Sequence, residues 1–142
     1  MSQLDAAIDR EVKKHYQLGA AQHDAGNCQA ALDEYQKALR LLPEPIEQWE
    51  ASTWVLMAIG DCEFQLGDYQ RAHYYLSRAM YCPGALGDPF IHLRLGQTQL
   101  ELGNEERAKD ELARAYMGGG KEIFADEDPK YYQFIKRFMR GL

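Results

Sequence analysis

The chain has 142 residues, of which 46% are hydrophobic and 27% charged, a composition typical of a folded domain and unlike that of a disordered segment. Its formal net charge is −6, from 22 acidic and 16 basic side chains. This balance argues against a nucleic-acid-binding protein, because such proteins draw most of their affinity from clustered Lys and Arg, and it favours a basic partner.

The cysteines and the N-terminal segment predict a cytoplasmic protein that is not embedded in a membrane. Cys28, Cys62 and Cys82 are widely spaced and never form a CxxC pair, so we expect small buried apolar residues in a reducing compartment. Residues 1–10 alternate apolar and charged side chains and do not resemble a signal peptide. The longest uncharged run, residues 51–60, is about half of what a membrane-spanning helix needs.

Three segments of the chain share one residue pattern. In each, a Leu-Gly or Ile-Gly pair is followed by a second Gly, then by Ala, a large residue and a further Ala. The matched positions are Leu18, Gly19, Gly26, Ala31, Tyr35 and Ala38; Ile59, Gly60, Gly67, Ala72, Leu76 and Ala79; and Leu95, Gly96, Gly103, Ala108, Leu112 and Ala115. The pattern predicts a helical hairpin, because the first Gly permits close approach of two backbones, the later Gly ends a helix in the left-handed conformation, and the Ala stripe packs the second helix.

This pattern resembles that of the tetratricopeptide repeat family. The match covers roughly residues 12–45, 53–86 and 89–120. The resemblance implies an all-α fold, a right-handed solenoid of stacked helical hairpins that forms a single domain over residues 1–142.

The segments between the repeats carry their own signals. Residues 46–52 contain no helix breaker after Pro45, so we expect them to lengthen the first helix of the second hairpin by about two turns. Residues 83–88 predict a turn, after which Asp88 forms an N-cap for a helix that begins at Pro89.

Residues 121–142 are predicted to cap the last hairpin. Asp128 forms an N-cap before Pro129, and an apolar stripe follows at helical spacing: Tyr131, Phe134, Ile135 and Phe138. We expect this helix to cover the exposed apolar face of the third hairpin, because the ends of a solenoid need such a cover. Binding of the helix to a membrane surface is the weaker alternative.

The sequence contains no motif that indicates catalysis, a metal or a cofactor. It lacks a glycine-rich phosphate loop, H-E-x-x-H and G-x-S-x-G. Its four histidines are scattered, and His15 and His92 occupy the same position in two repeats, which favours packing over chemistry. The acidic run of residues 126–128 lacks the ligand spacing and central Gly of a calcium loop. We therefore predict a non-enzymatic protein that needs no metal or cofactor.

The family resemblance implies that the first helix of each hairpin lines a concave groove. Projecting the helical period gives the predicted partner-binding residues, which are Tyr16, His23, Trp54, Met57, Asp61, Phe64, Phe90, Leu93, Gln97 and Glu101. We expect about half of the six apolar and aromatic side chains to be solvent-accessible, with Phe64 and Leu93 as the best candidates for core positions. An apolar, acid-edged groove suits a partner protein or peptide segment with apolar anchors. The clamp with which one branch of the family holds the C-terminus of heat-shock chaperones is missing, because Tyr16 and Ala20 occupy its positions.

Together these features predict a non-catalytic module that binds one cognate partner protein. The arrangement of repeats and C-terminal helix looks like that of small bacterial tetratricopeptide proteins, including immunity partners of toxins, and the acidic charge would suit a basic toxin such as a nuclease. The alternative is a secretion chaperone of the type III translocator class, whose groove takes an extended apolar segment. A small enzyme is the minor alternative, and the oligomeric state is left open.

Overall fold

The computed structural model describes residues 3–139, which contain seven α-helices, two short 3-10 helices and no strand. The all-α class, with hairpins and a C-terminal helix, is therefore confirmed. The helices are α1 (Ala6–Asp24), α2 (Cys28–Leu41), α3 (Glu50–Gln65), α4 (Tyr69–Ala79), α5 (Pro89–Glu101), α6 (Glu105–Gly119) and α7 (Pro129–Lys136), with 3-10 helices at Ile46–Gln48 and Lys121–Phe124.

The chain forms two compact units, residues 1–86 and 87–142. The prediction of a single domain over residues 1–142 concerns the relation between these units and stays a prediction. Residues 140–142 of the predicted capping segment lie outside the described residues. Within the described part, no helix combines the length and the apolar character that crossing a lipid bilayer requires.

The first unit consists of the hairpins α1–α2 and α3–α4. Gly26 and Gly67 follow α1 and α3 with φ of +82° each, so both glycines end a helix in the predicted left-handed conformation. A Cβ atom on Gly19 would lie 2.6 Å from the Tyr35 ring, and one on Gly60 would lie 2.5 Å from the Leu76 side chain. These distances confirm that the two helices of a hairpin approach closely at the first Gly of the pattern.

The core of the first unit centres on α3, which is buried along most of its length. From residue 51 to residue 63 only Trp54 and Met57 are more than marginally exposed. Around α3 pack the predicted stripe residues of α2, Ala31, Tyr35 and Ala38, all of which are fully or almost fully buried.

The predicted two-turn extension of α3 is wrong. The helix begins at Glu50, and residues 46–48 form a separate 3-10 helix. Trp49 between them is extended, and its indole Nε1–H donates to the Pro43 carbonyl at 2.8 Å, while the Ser52 hydroxyl donates to the Ile46 carbonyl. A straight helix would break these bonds, so the burial and hydrogen bonding of this corner override the absence of a local helix breaker.

The second unit consists of the hairpin α5–α6 and the segment that follows it. Asp88 accepts hydrogen bonds from the Phe90 and Ile91 amides at 2.9 and 3.3 Å, which confirms the predicted N-cap before Pro89. Gly103 ends α5 with a φ of +86°, and a Cβ on Gly96 would lie 2.7 Å from Leu112, so this hairpin repeats the geometry of the other two.

The C-terminal helix packs on α6 and on the 3-10 helix of residues 121–124. Asp128 accepts from the Lys130 amide at 3.0 Å, and Tyr131, Phe134 and Ile135 are buried, as predicted. Phe138 departs from the predicted stripe, because α7 ends at Lys136 and the Phe138 side chain is 49% exposed.

Candidate functional site

Two aromatic residues predicted to bind a partner meet in the first unit. The Tyr16 ring of α1 packs edge to face on the Trp54 indole of α3, with centroids 4.6 Å apart and planes at 80°. Both side chains are partly exposed, and Tyr16 is backed by the buried Tyr35 ring at 5.5 Å. Burial, with a smaller effect of Asp24, raises the pKa of Tyr16, so its hydroxyl stays neutral at physiological pH.

A cavity of about 410 Å³ opens beside Trp54. Its lining combines apolar and charged side chains, among them Leu4, Asp9, Lys13, Trp49, Glu50 and Trp54. An open recess with one exposed aromatic wall and a charged rim is suited to an apolar side chain of a partner protein.

Two further predicted residues continue the exposed face of α3. Met57 and Phe64 are partly exposed, and the Phe64 ring packs at 5.6 Å on Tyr69, the first residue of α4. Phe64 is therefore not a fully buried core residue. Together with Tyr16 and Trp54 these side chains make up what we call the aromatic surface of the first unit: Tyr16, Trp54, Met57 and Phe64.

His23 and Asp61, both among the predicted partner-binding residues, bind each other. The His23 Nε2 atom lies 2.7 Å from Oδ2 of Asp61, and Nδ1 lies 3.0 Å from the Tyr35 hydroxyl. Asp61 is 9% exposed. The pKa of Tyr35 is raised first by burial and then by its neighbours Cys62, Tyr16, Asp24 and Asp61. This network connects all of α1, α2 and α3.

The predicted residues of the second unit fall into two classes. Phe90 is partly exposed, and the Arg94 guanidinium lies 4.7 Å above its ring. Leu93, an expected candidate for a core position, is 1% exposed, and Gln97 is 0% exposed, so both are buried in this structure. Nine consecutive residues of α5, from 91 to 99, are buried. A helix packed only against its hairpin partner would bury one face, so α5 is covered on further sides as well.

One reason for that burial is Glu127, which belongs to the acidic run of residues 126–128. Glu127 Oε1 accepts from Arg94 Nη1 at 2.6 Å and from Gln97 Nε2 at 2.8 Å. Arg94 Nη1 also donates to the Gln97 amide oxygen at 2.8 Å. The signal in the sequence was Arg94 between the apolar residues Leu93 and Leu95, because a buried Arg requires a nearby carboxylate.

Glu101, the last predicted residue, is held by α7. It accepts from the Tyr131 hydroxyl at 2.7 Å and pairs with Lys130 at 2.8 Å. Burial raises the pKa of Glu101, but the bonds from Lys130 and Tyr131 outweigh it and hold that pKa below its usual range. Glu101 therefore joins the C-terminal helix to the hairpin.

The histidines at the shared repeat position also join helices. His15 Nδ1 lies 2.9 Å from Glu34, and His92 Nδ1 lies 2.7 Å from Glu111, so each histidine bonds the second helix of its own hairpin at the same sequence separation. The bond from His15, with a second from Lys37, lowers the pKa of Glu34.

Sequence reasoning did not anticipate one cluster. Donor atoms of His23, Cys28 and Cys62 all lie within 4.8 Å of one another. Cys62 and Cys82 are buried, as expected, whereas Cys28 is partly exposed. Burial, and then the Cys28 thiol beside it, raises the pKa of Cys62. Cys62 lies in the next hairpin, far in sequence from His23 and Cys28, so only the folded hairpins bring the three side chains together.

Comparison with known proteins places this geometry among helical repeat structures. Residues 11–80 match the family model of the tetratricopeptide repeat. No curated protein sequence matches the chain significantly.

Similar solved structures share the fold at low sequence identity. The Yersinia enterocolitica type III secretion chaperone SycD, in complex with a peptide of the translocator YopD, is 16% identical, with a TM-score of 0.68 over 89% of this chain and 90% of that chain. PcrH, in complex with the chaperone binding region of PopB, is 19% identical, with a TM-score of 0.63 over 96% of each chain. The C-terminal tetratricopeptide-containing domain of a Plasmodium falciparum protein described as FK506-binding is 14% identical, with a TM-score of 0.74 over 96% of this chain and 91% of that chain.

Proposed function

Because residues 11–80 match the tetratricopeptide repeat model and the helical hairpins repeat its geometry, we propose that this chain is a non-catalytic module that binds an apolar segment of a partner protein. The observation that carries the proposal is the aromatic surface of the first unit, where Tyr16, Trp54, Met57 and Phe64 are partly exposed on the first helices of two successive hairpins.

The aromatic surface has the properties of a binding hot spot. Tyr16 and Trp54 hold each other edge to face, and buried Tyr35 supports Tyr16 from behind. Side chains that are already ordered lose little conformational entropy when a partner binds, and large aromatic anchors dominate interface energies. The cavity beside Trp54 supplies room for one apolar side chain of the partner.

The charge of the protein defines the chemistry expected around that apolar segment. The chain carries a net charge of −6, and Asp24 is exposed at the end of α1. Complementary basic residues in the partner would accelerate association and disfavour acidic competitors. The proposed ligand is therefore a segment with apolar anchors in a basic context.

Two finer roles fit such a module. The acidic charge favours a protein that neutralises a basic toxin, which is the immunity role. The similarity of fold to SycD and PcrH, two proteins solved with segments of translocator proteins, favours a chaperone that holds an apolar segment before secretion. A cytoplasmic location is proposed in both cases.

The binding surface is tested by site-specific photocrosslinking in the source cell. In one variant a photoreactive benzoylphenylalanine replaces Met57. In the control it replaces Tyr81, which is 80% exposed and does not belong to the aromatic surface. We expect a covalent adduct with one cellular protein from position 57 and none from position 81. An adduct from position 81 alone would contradict the proposed surface.

The identity of the captured protein separates the two finer roles. An immunity protein would protect cells that co-express the captured protein from its toxicity. A chaperone would leave growth unaffected, and its loss would reduce the steady-state level of the captured protein.

A further inference from the structure

Three metal-ligating side chains converge at one end of the first unit. His23 lies in the last turn of α1, Cys28 is the first residue of α2 and Cys62 lies in α3. Their donor atoms all lie within 4.8 Å of one another, and each of them comes from a different helix. His23 is predicted to line the groove, but the proposed function uses none of the three side chains.

The turn between α1 and α2 brings the first two side chains together. The Asn27 amide donates to the Gln22 carbonyl at 2.8 Å, and the Asn27 side chain donates to the Gln22 side-chain oxygen at 3.1 Å. With Gly26 in the left-handed conformation, these bonds reverse the chain within a few residues and place position 28 beside position 23. The site is therefore built on two rigid helix ends.

The hydrogen bonds of His23 prepare one ring nitrogen for a metal. Nε2 is 2.7 Å from the Asp61 carboxylate, which can only accept, so in the neutral imidazole Nε2 carries the proton. Nδ1 then presents its lone pair to the Tyr35 hydroxyl at 3.0 Å. A carboxylate on the outer nitrogen of a metal-bound histidine fixes its tautomer and increases its basicity.

We propose that His23, Cys28 and Cys62 bind one Zn²⁺ ion, with His23 as a ligand through Nδ1 and both cysteines as thiolates. The ion displaces the hydrogen bond that the Tyr35 hydroxyl makes to Nδ1; Tyr35 keeps its proton, and the two thiol protons pass to solvent. Asp61 keeps its bond to Nε2 as the outer partner, and a water molecule completes the tetrahedron that Zn²⁺ prefers.

The donor set and its surroundings select this class of ion. Two thiolates and an imidazole are ligands for zinc and other thiophilic ions, whereas Ca²⁺ and Mg²⁺ require oxygen. Cys62 is buried, but Cys28 and His23 are partly exposed, so an ion has a path from solvent. The two net negative charges of the thiolates are balanced by the ion.

The proposal is tested on the full chain, reduced and stripped of metal. Zn²⁺ is titrated in competition with a chromophoric chelator, and Co²⁺ serves as the spectroscopic probe. We expect one ion per chain, a sulfur-to-cobalt charge-transfer band and the intense visible bands of a tetrahedral site. Zn²⁺ should also raise the Tm of the wild-type protein, because an ion that binds only the folded state stabilises it.

Variants locate the site. Cys28→Ser should lower Zn²⁺ affinity by about 100-fold or more, since even the loss of an outer partner costs up to that much. Serine is well tolerated at a helix start, and circular dichroism of the variant confirms that it folds. Cys82→Ser removes a thiol outside the cluster and His73→Gln removes an imidazole outside it, so both should bind Zn²⁺ like the wild type.

Two outcomes would overturn the proposal: no stoichiometric Zn²⁺ binding by the reduced protein, or a Cys28→Ser variant with wild-type affinity. If the reduced protein does not bind Zn²⁺ but loses two hydrogen atoms in mass on mild oxidation, the Cys28–Cys62 pair is a disulfide site instead.

Discussion

Glu63 and Arg71 clamp the hairpin α3–α4 across its turn, with the Arg71 Nε donating to a carboxylate oxygen of Glu63 at 2.6 Å. The Glu63 side chain is only 6% exposed, whereas that of Arg71 is 54% exposed. In the other two hairpins the residue at the position of Glu63 is Gln, and its side chain accepts from an Asn in the turn: Gln22 from Asn27 at 3.1 Å and Gln99 from Asn104 at 2.8 Å. The second hairpin has Asp68 in the turn, which cannot donate to a carboxylate, so Glu63 bonds Arg71 instead.

Arg71→Ala should lower the free energy of unfolding by about 1–2 kcal/mol, because it leaves a buried carboxylate without its charged donor. Urea unfolding measures the difference. Arg107→Ala is the matched control, since Arg107 holds the equivalent position in the third hairpin, where residue 99 is Gln. Equal losses for the two variants would show that the Glu63 bond contributes nothing specific.

Gly60→Ala should destabilise the first unit by about 1–3 kcal/mol, the usual cost of overpacking. The added methyl group would lie 2.5 Å from the Leu76 side chain, so either the side chain or the helix must move. Combining the change with Leu76→Ala makes room for the methyl group. The double variant should therefore lose less stability than the sum of the two single variants, and strict additivity would contradict the close approach.

Ile135→Ala should cost about 2–5 kcal/mol of stability, because Ile135 is fully buried where α7 packs in the second unit. Phe138→Ala is the comparison, since Phe138 belongs to the same predicted stripe but is 49% exposed, and we expect less than about 1 kcal/mol. Thermal unfolding of both variants tests whether the buried part of the C-terminal segment, rather than the whole stripe, stabilises the hairpin.

The bond network of Glu101 predicts a dependence of stability on pH. Its pKa in the folded protein is lowered from the ordinary value of 4.5, so its contribution to stability is fully present above that value. It is lost as the pH falls through the lowered pKa, because the carboxyl is then protonated in both states. The stability difference between wild type and Glu101→Gln, measured by urea unfolding, should shrink as the pH falls from 7 to below 4.5. A difference that stays constant over this range would contradict the assignment.

Trp54→Ala should weaken partner binding by about 2 kcal/mol or more, as truncation of an aromatic hot spot commonly does. Tyr16→Ala should have a similar effect, because it also removes the edge-to-face support of Trp54. Calorimetry with the partner captured by crosslinking measures both, and Tyr81→Ala is the exposed aromatic control. Native affinity of a folded Tyr16→Ala, Trp54→Ala double variant would contradict the proposal that the aromatic surface binds the partner.

The same experiment with Phe90→Ala tests the prediction that this residue also contacts the partner.

Local sequence was sufficient to predict most of the helix boundaries. Gly26, Gly67 and Gly103 adopt the left-handed conformation that their places after a helix require, and Asp88 and Asp128 cap the helices that follow them. These features depend on the backbone preferences of one residue or on hydrogen bonds between near neighbours. The same local signals occur in three segments of the chain, so each of the three hairpins could be predicted from the same pattern.

The candidate sites depended on contacts between residues far apart in sequence, and only the tertiary structure decided them. The helical period placed Gln97 on a groove face, but Gln97 is buried, and Glu127, some thirty residues later, bonds both Gln97 and Arg94. In the same way Cys28 and Cys62 show no metal-ligand spacing, and they meet His23 only because the turn at Gly26 reverses the chain between α1 and α2 and α2 packs on α3. A helical period determines which way a side chain points from its own axis, whereas burial and the chemistry of a cluster depend on what the rest of the chain places opposite it.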